Sequence, residues 1–159
     1  MLNFLCKLTV WFLLLFSVHS FAVVDGQVSE EDRQELRGYF FTAARVGNIE
    51  VMSAFLEAGL SPDMRNPKSY TPLMLAAYNG QPEMVDFLLA QGANPCLQDK
   101  RGNTALMGAI FKIEISIART LMRADCDLQT TNKQGQTAND IATLYNQNAL
   151  KELLVKYDI

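Results

Sequence analysis

The chain has 159 residues, 49% of them hydrophobic, with 14 basic against 17 acidic side chains and a net charge of −3. That length suits one domain with a sizeable core. The mild acidity gives no electrostatic reason to expect nucleic acid as a partner.

Residues 1–22 read as a leader rather than as part of a fold. Residues 1–7 carry one positive charge, Lys7, and residues 8–18 are almost wholly apolar, with Trp11, Phe12, Leu13, Leu14, Leu15 and Phe16 in one run. Ser20-Phe21-Ala22 puts small residues where a signal peptidase pocket requires them, so cleavage is expected after Ala22. The competing reading is an uncleaved anchor, but the run is shorter than the roughly 20 apolar residues a spanning helix needs. Cys6 precedes the run instead of following it, which argues against a lipoprotein. Cleavage would remove His19, the only histidine, and Trp11, the only tryptophan. A mature chain without imidazole cannot use His-based acid–base catalysis, Ser-His or Cys-His nucleophiles, or imidazole metal sites. No glycine-rich phosphate loop, paired catalytic carboxylates or nucleophile elbow is present, so neither an enzyme nor a cofactor or metal site is expected.

After a lead-in over residues 23–35, Ser29 and Asp32 form a capping-box pattern, which predicts a helix from about Glu30 to Val46 covering one end of the fold. From there a 33-residue period runs to the end. Thr71-Pro72-Leu73, Thr104-Ala105-Leu106 and Thr137-Ala138 align, as do Ala43, Ala76, Ala109 and Ala142, and Leu56, Leu89, Met122 and Val155. Each copy reads as two short helices and a long turn. In the second, Thr71 is a natural N-cap and Pro72 sits at the first helical position, where a missing N–H costs nothing. Leu73, Ala76 and Ala77 supply an apolar face, and Gly80 supplies the left-handed exit. Pro82 opens the second helix, Met84, Val85, Leu88 and Leu89 line it, and Gly92 stops it.

These residues resemble the ankyrin signature. Residues 71–80, Thr-Pro-Leu-Met-Leu-Ala-Ala-Tyr-Asn-Gly, follow it with Met74 where the family usually carries histidine, and residues 87–95 are similar to its second helix and exit. The resemblance implies an all-α ankyrin-repeat solenoid of about four helix-turn-helix units with β-turn fingers, preceded by a signal peptide. The units fall at about 36–65, 66–98, 99–131 and 132–159. Asn139 and Lys151 replace apolar residues in the last copy, as a terminal repeat without a neighbour would require. Asp125 and Asn146 fall at glycine positions, and both types tolerate left-handed backbone. Ile113, in the place of Gly80, does not, so a different helix exit is expected between Lys112 and Ser116.

Carried over position by position, the resemblance places the binding face on the turn tips and the outward residues of the first helices. It holds Lys68, Tyr70, Tyr78 and Asn79; then Lys100, Arg101, Asn103, Phe111 and Lys112; then Lys133, Gln134, Gln136, Leu144 and Tyr145. This set has five basic residues and no acidic one, whereas Glu30, Glu31, Asp32, Glu35, Glu50, Glu57, Glu83 and Asp86 lie elsewhere. A basic, aromatic-bearing face suits a protein partner with an acidic patch. The bland alternative is that the lysines solubilise the turns and the aromatics pack between units.

Cys96 and Cys126 remain after cleavage, 30 residues apart rather than 33. Neighbouring units of such solenoids stack about 10 Å apart, beyond disulfide reach unless the turn leans forward. A bridge and two small buried hydrophobes both stay open. The expected role is a monomeric, non-enzymatic protein-binding module of the bacterial periplasm, similar to small exported bacterial ankyrin proteins linked to catalase function and oxidative-stress defence. A haem or cofactor carrier using tyrosine or methionine, and a secreted effector binding a host protein, are the alternatives.

Overall fold

A computed structural model describes residues 29–145 together with 148, 151, 152 and 155. The expected leader and Asn146 lie outside the described residues. By contacts the chain divides into residues 1–33, of which only 29–33 are described, and residues 34–159, whose described part forms the solenoid. Regular structure among the described residues is helical: α1 (Glu30–Val46), α2 (Ile49–Glu57), α3 (Pro72–Tyr78), α4 (Pro82–Ala90), α5 (Ala105–Lys112), α6 (Ile115–Met122) and α7 (Ala138–Leu144).

Local chemistry accounts for the helix boundaries. At the start of α1 the Asp32 amide donates to Ser29 Oγ at 3.0 Å and the Ser29 amide donates to Asp32 Oδ2 at 3.2 Å, so two otherwise unpaired donors are satisfied. Thr71, Thr104 and Thr137 hold extended backbone ahead of α3, α5 and α7, and their hydroxyls accept from the amides of Met74, Met107 and Asp140. Pro72 and Pro82 fill first-turn positions whose amides would have no partner within the helix.

The first helices stack on one another, α3 on α5 and α5 on α7, while α4 packs on α6 behind them. Ala76, Ala109 and Ala142 are fully buried at the centre of this stack, and their small side chains allow the helix axes to approach. Leu73, Val85, Leu88, Ile110, Ile117 and Leu121 fill the layer between front and back helices. Phe40, Ala43, Ala44 and Met52 belong to the same continuous core. Phe40 meets both Phe41 and Phe55 edge-to-face, at 5.4 and 5.6 Å, and closes the first end with aromatic bulk. At the far end Asn139 and Lys151 are only partly buried, the polar termination expected of a last repeat.

Three fingers precede α3, α5 and α7, built alike. Asn66, Asp99 and Asn132 stand one period apart, and each Oδ1 accepts the amides two and four residues on: Lys68 and Tyr70, Arg101 and Asn103, Gln134 and Gln136. The tips turn through left-handed residues Ser69, Gly102 and Gly135. The second and third fingers are joined by the Lys133 amide donating to the Arg101 carbonyl at 2.9 Å. A Cβ on Gly102 would lie 2.8 Å from the Lys133 backbone nitrogen, so close approach as well as φ demands glycine there.

Two sequence expectations about helix exits are reversed. Ile113 was expected to force a different turn after α5, yet it takes the left-handed conformation itself, with φ 66° and ψ 29°. The Glu114 amide donates to the Ala109 carbonyl at 2.9 Å, as the Gln81 amide does to Ala76 at 3.1 Å in the unit before. The helix-closing hydrogen bond of the period is kept, and the branched side chain bears a strain of about 1–2 kcal/mol. Asp125, expected to copy the left-handed Gly59 and Gly92, does not. The Leu60 and Ala93 amides return to the carbonyls of Phe55 and Leu88, but the corresponding Cys126 amide donates to Ala124 at 2.8 Å. The irregular exit follows α6, not α5.

Candidate partner-binding face

Helix α3 ends in Tyr78 and helix α5 carries Phe111 one period later, 44% and 42% exposed. The period next falls on Leu144, 64% exposed, but the ring that continues the row belongs to Tyr145, the C-cap of α7, at 50% exposure. The Tyr78 and Phe111 rings stack at 6.1 Å with planes 10° apart, and Tyr145 meets Phe111 edge-on at 5.0 Å and 88°. Lys112 Nζ lies 5.2 Å over the Tyr78 ring. Such contacts contribute about 0.5–1.5 kcal/mol each and fix the rings' orientation. All three residues stay roughly half exposed all the same, so the row is a preformed apolar ridge, not a sealed core.

The fingers add charge. Lys68, Lys100, Arg101 and Lys133 are exposed at the tips, and neither they nor Lys112 is in a salt bridge with a described residue. One acid belongs to the same fingers: Asp99, whose Oδ1 accepts the Arg101 and Asn103 amides at 2.8 Å each. The acid-free set read from the sequence leaves this carboxylate out.

The structure therefore divides the sequence-derived set by task. Tyr78, Phe111, Lys112, Leu144 and Tyr145 sit on or beside the ridge, and Lys68, Lys100, Arg101, Lys133 and Gln134 are free-standing at the fingers. Tyr70 packs against the core. The Asn79 side-chain amide donates to the Leu75 carbonyl at 2.7 Å and closes its own helix. The Asn132 side-chain amide donates at 3.1 Å both to Asn103, which ties the second finger to the third, and to Gln136 within its own finger.

Residues missed from the sequence do similar bracing. Arg65 Nη1 donates to the Gln98 carbonyl at 2.7 Å, and Gln98 Nε2 donates to the Thr131 carbonyl at 2.9 Å. Arg65, Gln98 and Thr131 stand one period apart, as Asn66, Asp99 and Asn132 do, and that spacing was the available signal.

Cys96 and Cys126 are joined by a disulfide with a Cα separation of 5.4 Å. The roughly 10 Å spacing set against a bridge applies to equivalent positions. These two are not equivalent, since Cys126 sits three residues earlier in its unit. Among the described residues no three His, Cys, Asp or Glu side chains cluster as a metal site would require. No described helix is long and apolar enough to cross a membrane.

Stacked helix pairs with a repeating ridge and fingers define a helical-repeat solenoid with an open lateral face. The family model for ankyrin repeats, three copies, matches residues 40–132 and again residues 73–159. The chain belongs to the ankyrin-repeat family, whose members serve as protein–protein interaction modules. No curated protein is similar enough to stand as a relative.

Proposed function

We propose that the chain is a non-enzymatic protein-binding module of the bacterial periplasm. It grips one partner, bearing an acidic patch, along the ridge of Tyr78, Phe111 and Tyr145. The observation that carries this reading is the ridge itself: three half-exposed rings held in fixed geometry by their mutual contacts. Preorganised aromatics lose little entropy on binding and are among the side chains that dominate interface energetics. The unpaired lysines and arginine of the fingers would attract acidic groups and speed encounter.

Export is supported by the leader-like residues 1–22 and by the disulfide, which belongs to oxidising compartments. The monomer acts alone on its partner, and a role in oxidative-stress defence, such as supporting catalase, is part of the proposal. That part rests on the general resemblance of the sequence to small exported bacterial ankyrin proteins, and no residue motif specifies it.

The test is the triple variant Tyr78→Ala/Phe111→Ala/Tyr145→Ala. Its helical circular dichroism should match the parent, because the three residues are roughly half exposed. Affinity for the proteins crosslinked to the parent in the cell envelope should fall by about 100-fold. Unchanged capture by a folded triple variant would rule out the ridge. Recovery of the chain from cytoplasm rather than from the periplasmic fraction would rule out the address.

A further inference from the structure

Where the first unit meets the second, Asp63 Oδ1 accepts the Asn94 amide at 2.8 Å. One period on, Asp63 is replaced by Cys96, and at that place the second and third units are joined by the Cys96–Cys126 disulfide. A hydrogen bond in one junction has become a covalent bond in the next. The reason lies at the Cys126 end. Gly92 turns left-handed, with φ 82°, and lets Ala93 tuck in at 4% exposure with its amide on the Leu88 carbonyl. Asp125 does not make that turn, and Cys126, in the place of Ala93, does not make that hydrogen bond.

Both cysteines border a small cavity of about 20 Å³ whose wall also includes Thr104, Met107, Leu121 and Ala138. Thr104 caps α5 and Ala138 opens α7. Those two helices carry Phe111 and, at the C-cap, Tyr145.

We propose that the disulfide is a redox latch on the aromatic ridge. Oxidised, it substitutes for the missing left-handed exit and holds the starts of α5 and α7 in register, so that Phe111 and Tyr145 meet. Reduced, the exit after α6 opens and the ridge loses its alignment. In the opening step a thiolate of a dithiol reductant attacks one sulfur and the S–S bond breaks. The cysteine pair gains two electrons and two protons, and the reductant leaves as its own disulfide. Cys96 is an exposed residue, on the turn that leaves the second unit. The functional consequence rests on the ridge being the binding face; the latch itself does not.

Hydrogen exchange of the full chain, with and without dithiothreitol, separates the two. Reduction should speed amide exchange over residues 105–145 on the order of 100-fold. Cys126→Ala should exchange as fast with or without reductant. Asp125→Gly/Cys126→Ala, which rebuilds the Gly92-Ala93 exit, should restore slow exchange and ignore reductant. Exchange unmoved by reduction overturns the latch, and so does an Asp125→Gly/Cys126→Ala chain as fast as Cys126→Ala alone. Exchange that changes while partner affinity does not would support the latch and remove the ridge as the binding face.

Discussion

Ile113 shows how a single side chain can be overruled by its neighbours. Its left-handed backbone is strained, and the side chain is 59% exposed and so gains little from burial. Ile113→Gly should relieve about 1–2 kcal/mol of strain, partly offset by the greater freedom of glycine in the unfolded chain. A net gain of about 0.5–1 kcal/mol in urea unfolding is expected, and a loss would mean the isoleucine packs against something. Asp140 is the opposite case, a residue well matched to its place. The Thr137 backbone amide donates to its carboxylate at 2.8 Å and the Thr137 hydroxyl adds a second bond, which together hold its pKa below the ordinary 3.8. A depressed carboxylate stabilises the fold above its unfolded pKa and loses that contribution as pH falls through the lower folded value. Melting temperature should therefore drop below pH 3.8 less steeply in Asp140→Asn than in the parent. The two residues also mark how far the sequence could be read. Thr137, Thr104 and Thr71 announce their caps by type and spacing alone. Ile113 could be judged only against the helix-closing hydrogen bond, which one-dimensional spacing does not carry.

At the scale of the element, the fingers set the clearest contrast. Gly102 and Gly135 share a position and a left-handed φ of 82° and 74°. A Cβ on Gly102 would strike the Lys133 backbone nitrogen, whereas nothing lies within 4 Å of Gly135. Gly135→Ala should cost about 1 kcal/mol for its backbone conformation alone. Gly102→Ala should cost clearly more, because the two fingers must separate, and thermal unfolding of the pair would show it. The helix starts obey a similar logic. Thr71 is 1% exposed and its hydroxyl accepts the Met74 amide at 3.2 Å, so Thr71→Ala should cost about 1–2 kcal/mol in denaturant unfolding. The period located these elements, their caps and most of the ridge. The sequence set held both Leu144 and Tyr145 at the third outward place, and the ring contact to Phe111 picks out Tyr145. The period could not bring Cys96 and Cys126 together. Their contact depends on the exit after α6, where Asp125 departs from the glycine pattern.

Across the whole molecule, the stack is held by neighbour-to-neighbour contacts and each junction is tied differently. The first carries the Asp63–Asn94 and Arg65–Gln98 hydrogen bonds; the second repeats the latter as Gln98–Thr131 and adds the Asn132–Asn103 bond, the Lys133–Arg101 backbone link and the disulfide. In such solenoids stability is close to a sum of repeat and interface terms, so the two junctions should differ in how readily they open. The charge of the fingers belongs to this scale as well. If Lys68, Lys100, Arg101 and Lys133 steer an acidic partner, raising salt should slow association while leaving dissociation nearly unchanged. Stopped-flow binding at two ionic strengths would check it.

The covalent tie has a mechanical corollary. A loop closed by bonded residues 30 positions apart cannot lengthen when the two ends of the chain are pulled. Stretched in an optical trap, the oxidised chain should reach a contour about 100 Å shorter than the reduced one. The helix pair α5 and α6 inside that loop would stay shielded from tension after the others had been drawn out.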